Sequence, residues 1–307
     1  MTSLIEIYKR FPTHESCVKH LELVRWNGQP ICPFCGGTKV AKKTEAAQQS
    51  RHQCWACSKS FSVTQGTIFH NTHVDLQKWF LLISLMFSAK KGLSAMQASR
   101  DLEMRRPTVW KMMHKVRAAM QDDGVLLSGI IEMDETYVGG KPRKKGRKDD
   151  NDPKGGDTSK RGRGTDKIPV VGAVERGGKV KTKAVDKTEL ASDEMKALFM
   201  RFVDAKTSVL NTDEYTGYNS MNQVVLHRRV NHAREYTACD LFNGQYGVIH
   251  TNTIEGYWAI VKRAIYGQFH HVSPKYLPLY LNELSYRFNQ RQNVHRFDDL
   301  LHIAVKP

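Results

Sequence analysis

Acidic residues are scarce in this 307-residue chain: 31 Asp and Glu face 47 Lys and Arg, giving a formal net charge of +16 and a pI near 9.6. So basic a chain attracts polyanions, of which nucleic acid is the commonest large one. Long apolar runs are also missing. The longest, from Trp79 to Phe87, is well short of the ~18 residues of a membrane span and reads as a buried helix. The first 20 residues lack the charged-then-apolar layout of a secretion signal, so a soluble, cytoplasmic protein without a membrane partner is expected. Cysteine is too sparse and too unevenly spaced for a disulfide framework: of six, four fall in two tight pairs, and Cys17 and Cys239 stand alone.

The paired cysteines are Cys32 with Cys35 and Cys54 with Cys57, two C-x2-C knuckles separated by 18 residues. Four thiolates at this spacing close a tetrahedral Zn²⁺ site, and Gly36-Gly37 suits the tight turn of the first knuckle. The surrounding segment, residues 10–70, has little helical period and little core, so the metal supplies its folding energy. His52 lies close by, but four cysteines already complete the site.

Residues 75–122 read as helices. Ser94 caps one; a turn near Glu103 follows; Pro107 opens a second, basic helix. Helix, short turn and basic helix form the layout of a helix-turn-helix. Arg105, Arg106, Thr108, Lys111 and Lys115 are its candidate DNA contacts, with an ordinary helical hairpin as the competing reading. The Met and Trp positions suit the core.

Residues 128–270 alternate strands and helices, the mark of an α/β domain. Strands are expected near 129–137, 168–175, 179–185, 208–212 and 224–230, with helices near 190–205 and from Thr253 onward. Between the first two strands, residues 141–166 contain no Ala, Val, Ile, Leu, Met, Phe, Trp, Tyr or Cys, but ten Lys or Arg, five Asp and five Gly. That segment reads as a flexible basic loop, either a plain linker or an arm for the phosphate backbone through Lys144, Lys145 and Arg147. Two further helices, near 273–289 and 296–305, end the chain.

Three carboxylates carry the chemical signal. Asp134 sits in the apolar strand Ile130–Tyr137, where an unpaired charge is costly. Asp213 ends the strand Ser208–Thr212, although a helix-cap role is its plainer explanation. Glu255 opens a helix, where it would also complement the helix dipole, and Lys262 lies two turns further on the same face. Glu132 shares the strand face of Asp134 and is its nearest rival; Glu135 points the other way. Three acids that converge could hold two Mg²⁺ or Mn²⁺ ions, which clamp the attacking and leaving oxygens of a phosphodiester.

These motifs resemble bacterial insertion-sequence transposases of the acidic-triad (DDE) type with an N-terminal zinc ribbon, the IS1595 family. The resemblance rests on Cys32-Pro33-x-Cys35, Asp134-Glu135-Thr136-Tyr137-Val138-Gly139-Gly140, Thr212-Asp213-Glu214-Tyr215 with Tyr218, Val230-Asn231-His232, and His250 to Trp258 with Lys262-Arg263. It implies an RNase-H-like mixed-sheet catalytic domain. It further implies Mg²⁺-dependent cleavage at the terminal inverted repeats of double-stranded DNA and strand transfer into target DNA, by a dimer or higher oligomer in the bacterial nucleoid. Asp134, Asp213 and Glu255 become the metal ligands, with Asn252 as an adjacent contributor at the third position and Lys262 on a terminal phosphate. His232 has two readings, a group near the metals or a structural residue. Two other classes stay open: a DNA-binding regulator with an inactive nuclease core, and a junction-cutting nuclease. A covalent tyrosine recombinase is disfavoured, because Tyr137, Tyr215 and Tyr257 lack the accompanying Arg/His set.

Overall fold

A computed structural model describes residues 3–43, 51–139, 167–230, 238–242 and 245–306. The chain divides into two units, Met1–Gln121 with Gln290–Pro307, and Asp122–Asn289.

The first unit opens with helices α1 (Leu4–Arg10) and α2 (His14–Trp26), each started by a capping box, at Ser3 and Thr13. Helix α2 falls where little helical period was expected. Cys17, Val18 and Leu21 give it a buried face, but exposed Leu23 blurs the pattern. Strands β1 (Val40–Lys42), β2 (Arg51–Cys54) and β3 (Ser60–Ser62) form a small antiparallel sheet. Helix α3 (Leu76–Ser88) is the expected buried helix, with Trp79, Phe80, Leu82 and Ile83 inside. Helices α4 (Ala95–Asp101) and α5 (Arg106–Ala119) follow. Ser94 caps α4 through a bond from the Gln97 amide, and Pro107 lies in the first turn of α5. Glu103, at φ +50°, makes the turn between them.

The second unit is built on a mixed sheet. Its strands are β4 (Leu127–Val138), β5 (Ile168–Glu175), β6 (Val180–Ala184), β7 (Val203–Thr212) and β8 (Leu226–Arg229), in the order β6-β5-β4-β7-β8. The first three pair antiparallel, while β7 and β8 run parallel to β4. The α/β mixed-sheet expectation is met. Strand β7 starts five residues earlier than expected, because Val203 pairs with Leu127; helix α6 (Ser192–Phe202) is correspondingly shorter. A further hairpin, β9 (Ala238–Phe242) with β10 (Gln245–Ile249), was not expected. Asn243-Gly244 between the two strands is the strongest short hairpin signal a sequence offers.

Two apolar cores flank the sheet. Ile131, Met133, Val171 and Leu210 face α6 and Tyr218. Val138, Val170 and Val174 face helices α7 (Asn252–Lys262) and α8 (Leu277–Asn289). The alternation along β4 therefore turns Glu132 and Asp134 toward α7 and Glu135 toward α6. The last helix, α9 (Arg296–Ala304), belongs to the first unit, so the two helices expected at the end of the chain fall in different units.

Candidate functional site

The first knuckle is a tight loop: the Gly36 amide donates to the Cys32 carbonyl at 2.9 Å, and the Cys32 amide to the Gly37 carbonyl at 3.0 Å. Gly36 takes φ +71°, and a Cβ on Gly37 would stand 3.3 Å from the Cys35 sulfur. These two glycines let the backbone wrap closely around the thiols. Across the knuckles, Cys32 and Cys57, and likewise Cys35 and Cys54, have sulfurs 3.6 Å apart. All four sulfurs lie within 4.8 Å of one another. A Zn–S bond near 2.3 Å requires tetrahedral sulfurs about 3.8 Å apart, so the set fits Zn²⁺. Amides of Cys57 and Ala56 pull the Cys54 thiol down to about 7. The Gly37 amide lowers Cys35, but the sulfurs of Cys57, Cys54 and Cys32 outweigh it and push that thiol up to about 12, as expected of thiols too close to ionise together without a cation. His52 turns away to Glu22 at 3.0 Å and stacks on Phe61; it is structural, as expected.

On α5 and its approach, Arg105, Arg106 and Lys111 are exposed and Thr108 is half-exposed, while Met112 and Met113 are buried. Lys115 is exposed too, but its ammonium already donates to the His70 carbonyl at 3.0 Å. Lys144, Lys145 and Arg147, the whole basic loop, and His232 lie outside the described residues.

In the second unit, the parallel register sets Glu132 beside Asn211, and Asp134 and Asp213 each follow two residues on, Asp213 just past the end of β7. Both oxygens of Asp134 accept hydrogen bonds: Oδ1 from the Glu135 amide at 2.8 Å, Oδ2 from the Trp258 indole at 3.1 Å. Burial, then the charges of Glu135 and Asp213, and then Glu255, push its carboxyl up to about 7. Asp213 accepts from the Tyr215 amide at 3.0 Å. Glu255 is exposed on the first turn of α7 and accepts from the Thr251 hydroxyl at 3.1 Å. Asn252 is exposed at the start of that helix and Lys262 at its end. The three acids thus share one electrostatic neighbourhood but are not gathered as closely as the four sulfurs. Carboxylate oxygens are the hard donors that cations of the Mg²⁺ kind take.

Sequence reasoning missed Trp258 and Gly172. Gly172 faces Asp134 across the β4–β5 pair, and a Cβ there would stand 2.7 Å from the Trp258 ring. The glycine makes room for the indole that holds Asp134. Gly172→Ala should displace the ring and, as an overpacked core, cost about 1–3 kcal/mol. Thermal melting should show a fall of several degrees, and an unchanged melt would refute the close-approach argument. Tyr257 is buried with its hydroxyl on Ser285 at 3.0 Å, and burial pushes that phenol up to about 12. It is no nucleophile.

Residues 126–289, more than half of the chain, match the ISXO2-like transposase domain, the catalytic domain of the IS1595 family. The chain belongs to this family. Residues 12–60 match the transposase zinc-ribbon domain, a span that takes in α2 as well as the four cysteines. Family membership and sulfur geometry together support structural zinc. The chain is also 28% identical over 142 residues to an uncharacterized protein in transposable element ISH50 of Halobacterium salinarum. That match covers 46% of the chain and 47% of the relative, so the chain spans about half the length of this relative. No solved structure matches. No helix among the described residues is long and apolar enough to cross a membrane.

Proposed function

We propose that the protein is a DNA transposase that cleaves the ends of an insertion sequence and joins them to target DNA. The setting of Asp134 carries this reading: a strand carboxyl pushed to about 7, first by burial and then by the charges of Glu135, Asp213 and Glu255, marks a place where positive charge is wanted. When bound there, two divalent cations would supply an activated water and charge stabilisation at the scissile phosphate.

The protein's own part is to hold and orient. Trp258 and the Glu135 amide fix both oxygens of Asp134. Asp213 and Glu255 are the other two ligands, with Asn252 beside Glu255 as an adjacent contributor. Lys262 grips a terminal phosphate. A water attacks the phosphodiester at the element end and frees a 3′-OH, which then attacks target DNA; no bond to the protein forms. The zinc ribbon and the exposed face of α5, with Arg105, Arg106, Thr108, Lys111 and Lys115, bind the terminal repeats. The basic loop with Lys144, Lys145 and Arg147 tracks the backbone. Synapsis of two ends brings at least two copies of the chain together.

The test uses a linear fragment carrying the element's own ends and zinc-loaded protein, with and without Mg²⁺. Nicking and strand transfer that require Mg²⁺ are expected. Binding without cleavage under every metal condition would leave a DNA-binding regulator instead, and cleavage of branched DNA without joining would indicate a junction nuclease.

A further inference from the structure

Helix α7 carries Glu255, yet its own N-cap, Thr251, makes no side-chain capping bond. The cap comes from another element. Glu132 on β4 is 0% exposed. Its Oε2 accepts from the Thr253 amide at 2.8 Å and the Ile254 amide at 3.1 Å. Its Oε1 accepts from the Thr253 hydroxyl at 2.9 Å and from the Arg176 guanidinium at 2.7 Å. Four bonds fill the roughly four lone-pair sites of a carboxylate, and His250 Nδ1 stands 3.0 Å from Oε1 as well. No lone pair is left for a cation. Glu132, the nearest sequence rival to Asp134, is therefore not a metal ligand.

The same guanidinium extends the grip. Its two remaining nitrogens donate to the Val248 carbonyl at 2.6 Å and the His250 carbonyl at 3.0 Å, on the segment that leads into α7. Arg176 follows β5 directly, and its amide bonds the Ile130 carbonyl of β4 at 3.0 Å. One buried acid and one arginine thus tie the entry and the first turn of α7 to the central strand, two residues from Asp134.

We propose that Glu132 and Arg176 form a clamp that positions the first turn of α7, and so Glu255, against Asp134. The clamp rests on the reading of Asp134, Asp213 and Glu255 as cation ligands. It makes Glu132 and Arg176 positioning residues that touch neither metal nor DNA.

The sign of one effect separates positioning from plain electrostatics. Removing the positive charge of Arg176 near a cation site should tighten cation binding if charge alone matters. If the clamp matters, binding should weaken about 10–100-fold, the usual cost of losing a supporting partner of a metal ligand. The full-length, zinc-loaded chain is titrated with Mn²⁺, read by water-proton relaxation, as wild type, Asp134→Asn, Arg176→Gln and Glu132→Gln. The soft thiolate site holds its zinc against Mn²⁺. The clamp is supported if Asp134→Asn loses binding while Arg176→Gln and Glu132→Gln each weaken it at least about tenfold with unchanged circular dichroism. It is overturned if Asp134→Asn loses binding but Arg176→Gln binds as wild type or tighter, an outcome that leaves the three-acid site standing. Unchanged binding in Asp134→Asn sinks the site reading and the clamp with it. Should either single variant fail to fold, the pair Glu132→Gln with Arg176→Met leaves no lone buried ion and must show the same weakening.

Discussion

Asp134→Asn should melt above the wild type in metal-free buffer at pH 8 and should cut no DNA while binding it normally. Both effects arise from one carboxyl. Its folded pKa is about 7 against an ordinary 3.8, so the folded state holds a proton that the unfolded state has already released between those values. Stability therefore falls as pH rises from about 4 through 7, and the cost is fully present above that. A shift of this size corresponds to an order of 2–4 kcal/mol, more than the roughly 1 kcal/mol lost when Asn can no longer accept both hydrogen bonds. For a unit of this size the gain is a rise of roughly 5 °C. Thermal melts across pH 5 to 8, without and with Mg²⁺, check it. In the wild type Mg²⁺ should flatten the pH dependence by neutralising the cluster; in Asp134→Asn both the slope and the Mg²⁺ effect should vanish. Identical pH profiles in the two proteins would show that the acids are not coupled.

Loss of zinc should have the other large effect. Strands β1, β2 and β3 are only three or four residues long, and Phe61, His52 and Trp26 supply little core between them. Apparent zinc-binding energies of about 10–16 kcal/mol far exceed what such a core provides. Metal analysis should find one zinc per chain. A high-affinity chelator, or Cys57→Ser, should unfold the ribbon, seen as rapid amide exchange across residues 51–62, and should abolish binding to end-sequence DNA. The β4–β8 sheet of the separate second unit should keep its protection. Retained zinc and slow exchange in Cys57→Ser would contradict a four-thiolate structural site.

Much of this was legible along the chain, wherever the signal is local. Knuckle spacing, the Ser94 cap, Pro107 at the start of α5 and the apolar run of β4 each depend on neighbours within a turn or a strand, and the structure places them as read. Helix α2 escaped because exposed Leu23 dilutes its stripe, and the β9–β10 hairpin because its turn signal was passed over. Trp258 escaped for a different reason. Nothing local distinguishes a tryptophan that packs from one that also donates to an aspartate 124 residues away.

By itself the sequence determined the charge, the four paired cysteines, the α/β alternation of the second unit, and the three acids with their motifs, because composition and spacing are properties of the chain. Tertiary structure alone decided which of two neighbouring acids, Glu132 and Asp134, is spent on four hydrogen-bond donors and which is left crowded by other carboxylates. Both sit on one face of one strand. What separates them is the company supplied by Arg176 and α7, and a carboxylate's role follows from the partners that saturate its lone pairs, which strand pairing and helix docking bring from more than 40 residues away.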